Sequence, residues 1–375
     1  MTLSNIIQNV PCTLVTGFLG AGKTTVINQL LGARPINDRW ALLINEFGHI
    51  GIDGMLLTNT QQQNVQNQNT NNNIAIREVN GGCICCTSQL PLQIALTRLL
   101  SEQQPQRLII EPTGLAHPHE LLRQLSEPHW QTALKMQAVI TVLSALQWQQ
   151  KKYRSHDGFQ AHVRVADVIV VNRYEALNTD QQRKMQSWIH TLNAQASIIW
   201  AAANDNESAK TTADQLLTQL DSPSNTLAQQ RAQQSRIYLS APSHLKANVP
   251  IALTNDDLPL TDHELPYRYH DQQQAMLLAG WRLPSAWMFS ADDVQQWLLQ
   301  LPHWQRIKGV IHTSDGWLQL NFTPDSLTIT TTTAQTDSRL EVILLANDES
   351  ETSSHRQTTI DWQIYDQELM ALIVE

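Results

Sequence analysis

Cysteine is scarce in this 375-residue chain, with four residues in all and three of them crowded into Cys83, Cys85 and Cys86. Such crowding excludes the disulfide framework of a small secreted fold and favours reduced thiols. Basic residues are also short, 25 Lys and Arg against 34 Asp and Glu, for a formal net charge of −9. No basic face is therefore available to neutralise nucleic-acid phosphates, and nucleic acid is not an expected partner. No segment holds the roughly eighteen uninterrupted apolar residues of a membrane span, and Met1 to Val10 lacks a basic stretch followed by an apolar run. The expectation is a cytoplasmic protein without a membrane partner. What the chain does have is 42% hydrophobic content over enough length for two packed domains, which excludes disorder throughout.

From Cys12 to about Trp200, short β-branched runs alternate with helical patterns: Cys12–Thr16, Ala41–Asn45, Ile74–Glu78, Leu108–Glu111, Ala138–Leu143, Val168–Val171 and Ser197–Trp200. This alternation predicts βαβ units around a doubly wound, mostly parallel α/β sheet spanning residues 1–205. Gln61 to Asn73 is nearly all Gln and Asn, too polar to offset its ordering entropy, and reads as a loop insertion. Residues 206–264, rich in Ala, Gln, Ser, Thr and Asn, read as a connector with one amphipathic helix carrying Leu216, Leu217 and Leu220. Residues 265–375 predict a smaller C-terminal α+β domain. Its strands are expected at 275–283, 306–312, 317–322, 327–332 and 340–346, with helices at 291–301 and 362–374.

Thr16-Gly17-Phe18-Leu19-Gly20-Ala21-Gly22-Lys23-Thr24-Thr25 contains the pattern G-x-x-x-x-G-K-[ST] between an apolar strand and a helical run, the context a phosphate-binding loop requires. Gly17, Gly20, Ala21, Gly22 and Thr25 offer backbone N–H groups to the phosphates. Lys23 reaches the β/γ-oxygens as a catalytic cation, and the Thr24 hydroxyl ligates Mg²⁺. The strand ending Leu108-Ile109-Ile110-Glu111-Pro112-Thr113-Gly114 places Glu111 to hold Mg²⁺ through water and Gly114 to approach the γ-phosphate by its N–H. Base recognition is expected at Asn172-Arg173-Tyr174-Glu175, where a Glu175 carboxylate accepts from the guanine N1–H and N2–H₂ edge that adenine lacks. The Arg173 stem is placed to lie along the base.

Gly81-Gly82-Cys83-Ile84-Cys85-Cys86 sets three soft ligands before a helical run near Leu90, suited to Zn²⁺, Cu⁺ or a related ion. A fourth position is open to a carboxylate, histidine or water, as in sites that release their metal. Redox-sensing thiols and buried apolar cysteines are the other readings; Cys12 reads as core. Asn45 through Asp53 follows the second strand, where a nucleotide-sensing switch sits in phosphate-loop GTPases. Asp53 is in reach of Mg²⁺, and Glu46 or His49 of the metal or an attacking water. Glu46 joins the cysteines as a candidate metal ligand.

Taken together, Gly17–Thr25, Asn45–Asp53, Gly82–Cys86, Glu111–Gly114, Gln160–Asp167 and Asn172–Glu175 resemble the CobW-like family of metal-linked phosphate-loop GTPases, relatives of the nickel-insertion GTPases. The later part also resembles that family's C-terminal domain, through Trp281, Phe289 to Leu301, Arg306-Ile307-Lys308-Gly309-Val310, Trp317-Leu318 and Ser338-Arg339-Leu340-Glu341. The resemblance implies GTP hydrolysis with Mg²⁺, Zn²⁺ on the cysteine motif with Co²⁺ or Ni²⁺ as alternatives, and delivery to a client metalloprotein. A homodimer is left open. Three departures stand out. Arg173 and Glu175 replace the family's usual Lys and Asp, and His49 stands where Glu is frequent. The histidine-rich tract between domains is reduced to His244, His263 and His270. Two other readings compete with a GTP-dependent metallochaperone: a nucleotide-binding zinc or redox sensor without significant turnover, and a small-molecule kinase built on the same loop.

Overall fold

A computed structural model of the chain describes residues 7–45, 73–79, 90–201, 206–224, 265–273, 276–324, 326–345 and 361–374. The order of elements in the first part is β1 (Val10–Thr16), α1 (Lys23–Ala33), β2 (Trp40–Asn45), β3 (Ile74–Val79), α2 (Leu90–Gln103), β4 (Arg107–Glu111), α3 (Pro118–Leu125), β5 (Leu134–Met136) and β6 (Ile140–Ser144). There follow α4 (Ala145–Gln149), α5 (Lys151–Arg154), α6 (Asp157–Val165), β7 (Val168–Asn172), a 3₁₀ turn (Tyr174–Ala176), α7 (Thr179–Leu192), β8 (Ser197–Ala201) and α8 (Asn206–Gln219).

All seven expected strands are present. They form one parallel sheet in the order β3-β2-β4-β1-β6-β7-β8, with β5, which the sequence pattern does not announce, beside the start of β1. A strand whose side chains alternate between two covered faces is expected to be largely apolar, and β1 is so apart from the buried Thr13 and Thr16. Cys12 and Leu14 enter the layer under α2 and α3 with Leu96, Leu99, Leu121 and Leu122. Val15 enters the opposite layer with Val26, Ile27, Leu30 and Leu31 of α1. These α1 positions recur at helical spacing, so one stripe of the helix lies on the sheet. Leu216 and Leu220 are buried in this second layer, so the residues just after 205 pack against the parallel sheet. Burial pushes the Cys12 thiol up to about 12, keeping it a protonated core group.

The second part contains β9 (Tyr267–Gln273), β10 (Met276–Pro284), α9 (Ala291–Gln300), β11 (Trp304–Thr313), β12 (Gly316–Thr323), β13 (Ser326–Thr331), β14 (Asp337–Leu345) and α10 (Trp362–Met370). Its six strands form a sheet in the order β13-β12-β11-β14-β10-β9, every pairing antiparallel. Trp281, Ile307, Ile311, Leu320, Phe322, Leu340 and Val342 point to one face and share a core with α9 and α10. Met276, Leu278 and Ile343 belong to the opposite face and are buried in one cluster with Phe18, Leu115 and Leu143 of the first part. The two parts therefore share a hydrophobic seam beside the loop that follows β1. Among the described residues no helix is long and apolar enough to cross a membrane.

Candidate functional site

The loop from Gly17 to Gly22 leaves the carboxyl end of β1 and turns into α1, whose cap, Gly22, adopts φ 98°. A Cβ on Gly17 (φ +147°) would stand 2.3 Å from the Val142 carbonyl oxygen, and one on Gly22 would stand 2.4 Å from the Asn172 amide nitrogen. Only glycine fits either place. Asn172 donates from Nδ2 to the Ala21 carbonyl at 2.6 Å, so the last residue of β7 ties down the loop. Gln147 does the same from α4, donating Nε2 to the Leu19 carbonyl at 2.7 Å.

Lys23 is buried and donates to the Gly17 carbonyl at 3.0 Å. Burial lowers its ammonium to about 8; Glu111 pulls it back up, while Arg306 and Lys308 push it further down. The Thr24 hydroxyl donates to Glu111 Oε1 at 3.3 Å. Glu111 is 3% exposed and its Oε2 has no partner. Burial raises the Glu111 carboxyl above the ordinary carboxylate range, with Lys23, the Thr24 hydroxyl and Arg306 acting in the opposite sense. A hydroxyl and a carboxylate with an orphaned oxygen beside a phosphate loop form a hard-oxygen donor set that fits Mg²⁺. Gly114 packs so closely on the loop that a Cβ would stand 2.5 Å from the Leu19 nitrogen.

One cavity gathers these groups. Its walls include Gly22, Lys23, Thr24, Asn45, Glu111 and Gly114 from the parallel-sheet side. Arg306, Lys308, Asn321, Thr323, Glu341 and Ile343 line it from the antiparallel sheet. Arg173, left-handed at φ 54°, also lines the cavity. Glu175 is exposed in the 3₁₀ turn and is not among the lining residues. The expected ligands Glu46, Asp53, Cys83, Cys85 and Cys86, like His49, lie outside the described residues. Among those described, no group of three or more His, Cys, Asp or Glu could hold a metal ion.

Two features of the site were not anticipated from the sequence. The first is His162 on α6, fully buried, with Nδ1 2.7 Å from Thr16 Oγ1 and Nε2 3.3 Å from the Gly114 carbonyl. A carbonyl only accepts, so Nε2 carries the proton and Nδ1 accepts from Thr16. Burial, assisted by the charge of Lys23, lowers this imidazole to about 3. A neutral histidine thus braces the end of β1 against the turn after β4. The only sequence signal was its place inside the Gln160–Asp167 segment. The second feature is the charged face of the antiparallel sheet.

A glycine-rich loop at the carboxyl end of the central strand, a lysine at the following helix N-terminus and a carboxylate on the adjacent strand define a phosphate-loop nucleoside-triphosphate-binding protein. The chain matches the family model described as CobW/HypB/UreG, nucleotide-binding domain, over residues 11–200. It is 31% identical over 331 residues to the zinc chaperone YeiR of Escherichia coli (strain K12), covering 88% of this chain and 92% of that one. It is 22% identical over 218 residues to zinc-regulated GTPase metalloprotein activator 1 of Dictyostelium discoideum, covering 51% and 46% of the two chains. The crystal structure of Zn(II)-bound YjiA GTPase from E. coli aligns over 97% of this chain and 99% of that one, at 15% identity and a TM-score of 0.38. This chain belongs to the CobW/HypB/UreG family.

Proposed function

We propose that the protein is a cytoplasmic, GTP-hydrolysing metallochaperone or metalloprotein activator. It carries Zn²⁺, with Co²⁺ or Ni²⁺ as alternatives, on Cys83, Cys85, Cys86 and Glu46, and delivers it to a client metalloprotein. Support at the nucleotide end comes from the convergence of Lys23, Thr24 and Glu111 in one cavity. Thr24 and Glu111, joined by Asp53, would hold Mg²⁺, which when bound offsets charge on the β- and γ-phosphates. The ammonium of Lys23 leaves the Gly17 carbonyl for the β/γ-oxygens, and Glu175 selects guanine. Water attacks the γ-phosphorus as its bond to the bridging oxygen breaks; the electron pair leaves on GDP and both protons end on the released dihydrogen phosphate.

The observation that carries the metal half is the register of β2 and β3. They pair in parallel with Asn45 opposite Val79, and Asn45 donates Nδ2 to the Val79 carbonyl at 3.1 Å. Glu46 follows the first of these strand ends directly, and Cys83 follows the second four residues on. Asn45 also lines the phosphate cavity, and the strand it pairs with ends four residues before Cys83 in the sequence. The names carried by the relatives, zinc chaperone and zinc-regulated GTPase metalloprotein activator, support the same reading.

Linkage then requires zinc to bind more tightly in the triphosphate state, by about 5–150-fold for a coupling of ~1–3 kcal/mol. Competition with a chromophoric zinc chelator, in GDP and in a non-hydrolysable GTP analogue, measures that factor. Equal zinc affinities in the two states would sink the coupling. Zinc binding unchanged by Cys85→Ser plus Cys86→Ser would sink the site.

A further inference from the structure

The strand period places charge where an ordinary two-layer domain would meet water. On β11, Ile307 and Ile311 enter the core under α9 and α10, so Arg306, Lys308 and Val310 face the other way. Lys308 pairs across the sheet with Glu341 of β14 and with Asn321 of β12. All four polar residues therefore share one face, and that face lies on the phosphate loop. Lys308 and Glu341 are 8% and 7% exposed.

The contact is built from several parts. Met276, Leu278 and Ile343 are buried with Phe18 and Leu115. Tyr153 donates its hydroxyl to Gln305 at 3.3 Å. A Cβ on Gly20 would stand 3.3 Å from the Thr323 methyl. Four cations, Lys23, Arg173, Arg306 and Lys308, thus line one cavity with two carboxylates, Glu111 and Glu341. Glu341 already accepts from the Tyr269 hydroxyl at 3.0 Å. Cations outnumber carboxylates on the cavity wall, a charge pattern that favours the entry of an anion. Asn321 adds a buried Oδ1 with no partner to the same wall.

We propose that Arg306 and Lys308 contact the terminal phosphate of the bound nucleoside triphosphate, so that the antiparallel sheet completes the hydrolytic site within the same chain. This rests on the GTPase reading above. The guanidinium donates to non-bridging γ-oxygens, where negative charge is held while the bond to the bridging oxygen breaks. Lys308 supplies a second cation to that phosphate, and Glu341 keeps it on the cavity wall. GDP lacks the group that both cations contact, so the sheet distinguishes the two nucleotides.

The test uses the full-length protein and its Arg306→Ala, Arg306→Lys and Lys308→Met variants. Turnover of GTP is measured beside affinities for fluorescent GDP and for a non-hydrolysable GTP analogue. Arg306→Ala is expected to lower kcat by about 10²–10³-fold, the effect of removing one preorganised donor. GDP affinity stays within about threefold, the preference for the analogue over GDP collapses, and Arg306→Lys recovers part of the loss. Lys308→Met shows the same split with a smaller factor. If Arg306→Ala does not fold, Arg306→Gln, which keeps most of the stem, carries the measurement. Equal weakening of GDP and analogue, as loss of packing alone would give, overturns the proposal. So do unchanged kcat and nucleotide preference in both single variants. Absence of turnover in the wild type would remove the GTPase reading, while the ratio of affinities would still decide whether Arg306 and Lys308 meet the third phosphate.

Discussion

The two walls of the phosphate cavity are made in different ways. On the parallel-sheet side the strands are mostly apolar on both faces, and the polar groups of the site stand at their carboxyl ends, at Asn45, Glu111 and Asn172, with Gly17 just beyond β1. On the antiparallel side the polar groups sit in mid-strand, at Lys308, Asn321 and Glu341, because only one face of that sheet is needed for its own core. The first wall works through backbone that must come close. The second works through side chains held by register. Glycine is therefore indispensable on one side, and alternation of residue type on the other.

The strongest way to break this contrast is Lys23→Ala. It removes the first-wall side chain proposed to reach the β/γ-oxygens, where transition-state charge accumulates. The expected loss in kcat exceeds about a hundredfold. A steady-state phosphate-release assay reads it, and wild-type turnover in the variant would withdraw the phosphate-loop assignment.

A smaller effect is expected where the first wall depends on backbone approach. Gly114→Ala puts a Cβ 2.5 Å from the Leu19 nitrogen and 2.7 Å from its Cα. Neither is the end of a flexible side chain, so the loop must move. A strain of ~1–3 kcal/mol predicts a loss of GDP affinity of roughly 5–150-fold by fluorescence titration. Gly32→Ala is the control. A Cβ there meets nothing within 4 Å, and within α1 it is expected to stabilise by up to about 1 kcal/mol. Similar GDP affinities in both variants would show that close approach is not what the first wall requires.

How far each wall could be read from the sequence follows from the same difference. The loop residues are contiguous, and the strands before β2, β4 and β7 loops are unbroken apolar runs, so periodicity found them to within a residue or two. The short β5 left no such run. The second wall was visible only as alternation, in Arg306-Ile307-Lys308 and in Leu340-Glu341-Val342, and alternation reads equally well as a face turned to solvent. Nothing local to β11 says that this face meets a loop nearly 300 residues earlier. His162 was hidden for a related reason, since its partner Thr16 lies 146 residues away.

That histidine supplies the mildest test, because it joins the end of β1 to the turn after β4 through Thr16 and the Gly114 carbonyl. His162→Leu fills the space and removes both hydrogen bonds, leaving the Thr16 hydroxyl and the Gly114 carbonyl buried and unsatisfied. The expected loss of stability is ~1–3 kcal/mol at neutral pH. Its pH dependence separates this role from simple packing. With the folded imidazole at about 3 against 6.5 for the ordinary group, the unfolded chain binds the extra proton first as pH falls. The stability due to neutral His162 is thus fully present above about pH 6.5 and is lost on acidification toward pH 3, by up to ~1.4 kcal/mol per pH unit. Urea unfolding at pH 7.5 and pH 5.5 should show the wild type losing roughly 1 kcal/mol more than His162→Leu between the two conditions. The comparison between variants cancels the contribution of Glu111, whose raised carboxyl works in the opposite sense. Parallel losses in the two proteins would mean that His162 does not fold as a buried neutral brace, and the join between β1 and the turn after β4 would then rest on the glycine contact alone.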